Sequence, residues 1–141
     1  MPIALAIADA DIQDCFPVMR QLRPNLVESG FVAQVRHMQA DGYQLAALRD
    51  AAGVQAVAGF RIYENLHSGR LLYVDDLVTG SASRSAGHGG SLLNWLAGHA
   101  RAQRCVSLEL DSGTHRAEAH RFYFRERMHI TDYHFARALP E

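Results

Sequence analysis

The chain has 141 residues, a formal net charge of −1 and 48 % apolar content, which suits one globular domain over residues 1–141. Its 14 Lys+Arg residues are all Arg. With no lysine, Schiff-base chemistry, lysine-anchored pyridoxal phosphate, the P-loop lysine and the kinase ATP lysine are excluded, so any bound phosphate must be met by backbone N–H groups and Arg.

Acids and arginines are interspersed, which leaves no polyanion-binding footprint and no expected nucleic-acid partner. No apolar run approaches the ~20 residues of a membrane span. The start lacks the positive region of a signal peptide. Cys15 and Cys105 form no CxxC pair and read as two buried thiols of a cytoplasmic protein, not as a disulfide. The eight histidines show no metal-ligand spacing: His115 and His120, like His129 and His134, are five apart, so no metal is expected.

In chain order, residues 3–8 alternate large and small apolar side chains and read as a strand. A helix follows from Asp9 or Asp11 to about Gln21, with Ile12, Phe16 and Met19 on one face and Pro17 as a kinking or shortening element. Asn25 and Glu28 have capping-box spacing and open a second helix whose face is Phe31, Val35 and Met38. Residues 43–49 and 54–63 form a hairpin around the turn at Asp50 to Gly53. Residues 71–79 are the next strand. A Gly/Ser-rich loop leads to a helix over 91–103 with Leu92, Leu93, Leu96 and Ala100 at helical spacing. A strand at 106–110, a helix at 114–127 with Ala119, Phe122 and Tyr123 inward, and a strand at 133–138 complete the chain. The stretch 71–110 is a βαβ unit and implies a parallel strand pair with a right-handed crossover. The fold class is therefore α/β (α+β): a mixed, mostly antiparallel sheet with one parallel βαβ unit and about four flanking helices.

The sharpest local feature is Arg84-Ser85-Ala86-Gly87-His88-Gly89-Gly90 between a strand and a helix. Glycines at a helix N-terminus let the backbone approach an anion, and the unpaired first-turn N–H groups and the helix dipole favour negative charge there. The loop is neither a Walker A nor a dinucleotide fingerprint. By itself it reads equally as a flexible connection that uses glycine to turn.

Asp75-Asp76-Leu77-Val78-Thr79, then four residues, then Arg84-x-x-Gly87-x-Gly89 and an apolar helix, resembles motif A of the GNAT superfamily of N-acetyltransferases. Arg116-x-x-Ala119-x-x-Phe122-Tyr123 resembles the family's next helix. The order of elements matches along the chain, and the motifs cover residues 71–128. Thr79 stands where the family usually has Val, Ser85-Ala86 replaces a Gly-basic pair, and Ser112-Gly113-Thr114 stands where an Asn is common.

The resemblance implies an acetyl-CoA-dependent N-acetyltransferase acting on a small-molecule or protein amine. A non-catalytic acyl-CoA-binding or sensing module of the same fold is the alternative. It implies that the strands at 71–79 and 106–110 splay at a bulge. The backbone of Leu77, Val78 and Thr79 would then pair with the pantetheine arm. Arg84, Ser85, Gly87, His88, Gly89 and Gly90 would hold the pyrophosphate, with Arg116 and Ala119 completing the cofactor contacts. His88 would supply its amide, its side chain lying near the adenine or solvent. Tyr123 is the candidate acid for the departing thiolate, a phenol being a fair match to an alkyl thiol. The Val78 N–H is the candidate oxyanion donor.

Asp75 and Asp76, adjacent on a strand, are expected on opposite faces, with at least one receiving the amine or relaying its proton. Glu109 and Glu28 are weaker candidates. Trp95, Tyr73 and Tyr63 either line an acceptor pocket or serve as core or dimer contacts. Asp75, Asp76 and Glu64 together point to a small cationic acceptor, and the family's habit leaves a homodimer open.

Overall fold

The computed structural model describes residues 2–84 and 86–141. They fall into two compact units, Met1–Leu110 and Asp111–Glu141. The first holds β1 (Ile3–Leu5), α1 (Asp9–Asp14), α2 (Phe16–Leu22), α3 (Phe31–Gln39), β2 (Gln44–Asp50), β3 (Gly53–Asn65), β4 (Gly69–Thr79), α4 (His88–Ala102) and β5 (Ser107–Leu110). The second holds α5 (Ala117–Arg125).

The sheet runs β1-β2-β3-β4-β5. The first three pairings are antiparallel. The last, β4 with β5, is parallel and is made by the α4 crossover. This is the mixed sheet that the element order predicts.

Two local expectations change. The helix expected over 9–21 is two helices, because Pro17 sits in the first turn of α2, where its missing N–H costs nothing. Ile12, Phe16 and Met19 still share one buried face. The capping box at Asn25 does not form. Glu28–Gly30 make a single 3-10 turn and α3 starts after Gly30 with no side-chain cap. The Phe16 and Phe31 rings meet edge-on at 5.3 Å and join the two helical pieces.

Alternation along β3 assigns the sheet's two faces. Val57 joins Tyr43, Leu45, Ala47 and Val78 under α1, α2 and α3. Phe60 points the other way and meets His99 of α4 at 5.6 Å. Leu92 and Leu96 of α4 are fully buried, each worth about 1.5–3 kcal/mol of apolar burial. Trp95, weighed as a pocket aromatic, stacks on His99 within α4 at 5.1 Å.

In the second unit the strand expected over 133–138 is absent. Its alternating pattern finds no ladder partner among the described residues, and Tyr133 and Phe135 are 83 % and 91 % exposed. A strand pattern without a partner leaves its backbone groups to water and does not persist as a strand.

Candidate active site

β4 pairs with β3 along most of its length, but with β5 only from Leu71↔Ser107 to Val74↔Leu110. Beyond Val74 the β5-side edge of β4, residues 75–79, has no strand partner among the described residues. Antiparallel pairing to β3 turns only alternate backbone groups inward. Part of the N–H and C=O complement around Leu77, Val78 and Thr79 therefore remains available to an extended ligand.

The strand also carries a bulge at this point. Gly59 pairs with Asp76 and Phe60 with Val74, so Asp75 is the extra residue. The bulge cancels the simple alternation and corrects the expectation that Asp75 and Asp76 face opposite ways. Asp76 accepts from Tyr43 Oη at 2.8 Å and from Arg23 Nε at 2.9 Å. Asp75 accepts from Arg61 Nε at 3.1 Å, and that guanidinium lies over the Tyr43 ring at 5.7 Å. Both carboxylates thus join one network on one face. Burial raises the Asp75 carboxyl above the usual range, and Arg61 partly offsets this. Burial also raises the Tyr43 phenol, with Asp76 adding to it.

The glycine loop leads directly into α4. Gly87 caps the helix in the left-handed region, φ +81°, which suits glycine. The Gly87 carbonyl accepts from the Ser91 N–H at 3.0 Å, the first helical bond. The N–H groups of His88, Gly89 and Gly90 are thereby left without intrahelical partners. The His88 side chain is not toward solvent: it is 5 % exposed, on the same stripe as Leu92 and Leu96, and its Nδ1 has no hydrogen-bond partner among the described residues.

Arg84 is exposed and lines a groove of about 680 Å³ with Arg20, Gln21, Glu28 and Ser81. Ser81 is pinned there, its N–H donating to Gln21 Oε1 at 2.8 Å. Ser85 lies outside the described residues. Glu109 on β5 accepts from Ser107 Oγ at 2.8 Å.

Within the second unit, Ala119 and Tyr123 lie one turn apart on one face of α5, and Arg116 caps it. Burial pushes the Tyr123 phenol above its ordinary value, and the Arg116 charge partly counters this. The shift moves the phenol further from ionisation at neutral pH, where a tyrosine hydroxyl already keeps its proton.

Arg23, Tyr43, Gly59 and Arg61 have no counterpart in the sequence reading. Arg23 and Asp76 are 53 positions apart, and Tyr43 and Asp76 are 33 apart. No periodicity links such residues. The one local signal was a glycine inside a strand, which marks a bulge or a close approach.

A family model described as the Acetyltransferase (GNAT) family matches residues 9–129. The chain belongs to the GNAT acetyltransferase family. That match runs across both units, and membership makes the GNAT chain an acyl-CoA-dependent N-acetyltransferase. It is 32 % identical over 111 residues to the uncharacterized N-acetyltransferase YhdJ of Bacillus subtilis (strain 168), covering 78 % of each chain. Solved structures share the fold at lower identity. A ribosomal-protein-alanine N-acetyltransferase from Brucella melitensis biovar Abortus 2308 superposes with TM-score 0.83 at 15 % identity, over 99 % of this chain and 100 % of that one. AAC(6')-Iy, in complex with the bisubstrate analogue CoA-S-monomethyl-acetylneamine, gives TM-score 0.84 at 11 % identity, over 99 % and 97 %.

Among the described residues no helix is long and apolar enough to cross a membrane.

Proposed function

We propose that this chain moves the acetyl group of acetyl-CoA to a primary amine by direct attack, with a small-molecule or protein amine as acceptor. One observation carries the reading. A single βα unit offers both a strand edge over residues 77–79 with no strand partner among the described residues and three helix N-terminal amides, at His88, Gly89 and Gly90, with no intrahelical partner. The edge suits the amide-bearing pantetheine arm by strand addition. The helix N-terminus suits the pyrophosphate in a chain that has no lysine to offer. Relatives of the same fold are named as acetyltransferases, and one is captured with a CoA bisubstrate analogue.

In this reading the neutral amine attacks the thioester carbonyl, and the oxyanion is met by a backbone N–H of the free β4 edge, at Leu77 or Thr79, because the register turns the Val78 N–H toward Val57 of β3. Collapse breaks the C–S bond, and Tyr123 protonates the departing thiolate. The phenolate then recovers its proton from water, and the proton lost by the amine leaves through water. Asp75 is the better relay of the two carboxylates, because Asp76 is held by two donors and Asp75 by one side chain. Positioning supplies the rest.

Arg23 and Arg61 neutralise both carboxylates, so a preference for a cationic acceptor does not rest on them. A cytoplasmic location, which rests on the two free thiols, and a homodimer, which rests on family habit, belong to the same proposal.

The test is thiol release from acetyl-CoA over a panel of primary amines, corrected for hydrolysis. Amine-dependent release with matching N-acetyl product supports the reading. Tight CoA binding with no transfer to any amine favours the sensing module.

A further inference from the structure

Four residues from separate parts of the chain converge on the β4 bulge without a part in the mechanism above. Arg23, just past α2, grips the bulge at two points, donating from Nε to Asp76 Oδ1 at 2.9 Å and from Nη2 to the Asp75 carbonyl at 3.0 Å. Tyr43, buried before β2, donates to the other Asp76 oxygen at 2.8 Å. Arg61 ties the Asp75 side chain to the Tyr43 ring. Gly59 of β3 leaves the room this needs: a Cβ there would overlap Tyr43 and lie 2.6 Å from Asp76 Oδ2.

The Asp75 carbonyl is the informative atom. It belongs to the bulge's extra residue, and a side chain from outside the sheet holds it. A half-exposed ion pair adds little to stability. Two donors of one planar guanidinium, on a carboxylate and a carbonyl of adjacent residues, instead fix geometry.

We propose that Arg23 is a positioning residue: its two-point grip sets the β4 bulge and thereby the free edge at Leu77, Val78 and Thr79 on which the thioester must lie. The inference rests on the acetyltransferase reading. Arg23 also lines a groove with Leu22, Pro24, Asn25, Leu26 and Val27, so the same side chain links that surface to the bulge.

The test uses Arg23→Lys and Tyr43→Phe in the full chain. Lysine keeps the charge but cannot span both acceptors with a rigid fork. The expected result is a kcat at least about tenfold lower in Arg23→Lys, with KM for acetyl-CoA within about threefold and an unchanged melting temperature. The double variant should lose less than the product of the singles, because both side chains act on one carboxylate. Amide chemical shifts of Leu77, Val78 and Thr79 should move in Arg23→Lys, a readout that needs no turnover and no tolerance of Tyr43→Phe. Wild-type turnover with unmoved shifts would overturn the positioning role alone. A wild-type chain that transfers acetyl to no amine would overturn the reading beneath it, and the positioning role with it.

Discussion

The Tyr123 phenol, protonated at neutral pH as any tyrosine is, is raised above its ordinary value because burial makes its anion costly. Tyr123→Phe should lower kcat by at least about tenfold, the low end of what a placed proton donor contributes, and leave the CoA dissociation constant unchanged. Unchanged turnover would remove the acid role. Gly59→Ala should cost roughly 1–3 kcal/mol in denaturant unfolding, because the added methyl meets Tyr43 and Asp76 in a packed strand.

Cys15 is a fully buried thiol raised from its ordinary 9.0 to about 12 by burial, and the Tyr43 and Tyr123 phenols are raised by burial too. For each of these groups the unfolded chain releases its proton first as pH rises. Their contribution to stability is full below about pH 9 and declines above it. Melting temperatures across pH 7–11 check this, and a flat profile above pH 9 would contradict it. At this scale the sequence offered its candidate chemistry-bearing residues through the motifs that resemble the family's. It could not show that Asp75 and Asp76 are already spoken for by Arg61, Arg23 and Tyr43. Those bonds exist only after chain segments tens of residues apart are brought together.

At the scale of elements, the proposed function rests on the β4–α4 unit. Helical spacing of Leu92, Leu96 and Ala100 and the apolar run of β4 were readable because each follows from burial of one face. The bulge at Asp75 was not readable from β4 alone. It is a register property of two strands, visible only once Gly59 is paired with Asp76. The broken first helix was half visible, since Pro17 marks the spot but not whether the chain kinks or restarts. The failed strand at 133–138 shows the converse, in that alternation proposes a strand and a partner is still needed.

Gly87 gives this scale its prediction. No described residue lies within 4 Å of a Cβ placed there, so the cost of Gly87→Ala comes from its φ of +81°, about 1–2 kcal/mol. The expected outcome is a weakened acetyl-CoA affinity with a modest loss in melting temperature, read by calorimetry and thermal unfolding. Unchanged affinity would take the α4 N-terminus out of phosphate binding.

For the molecule as a whole, length, apolar content and near-zero charge fixed little beyond a packed domain. The absence of lysine was more telling. It leaves backbone amides and Arg as the candidate anion holders, and the proposal places them at the helix start, His88, Gly89 and Gly90. It also makes the chain a clean reagent, because no side-chain amine of its own can take the acetyl group. The central claim is therefore tested most directly by incubating the protein with acetyl-CoA and a panel of primary amines, and following CoA thiol and N-acetyl product together. The account predicts that at least one amine yields thiol and N-acetyl product in equal amounts. Acetyl-CoA binding without amine-dependent product across the panel would contradict it.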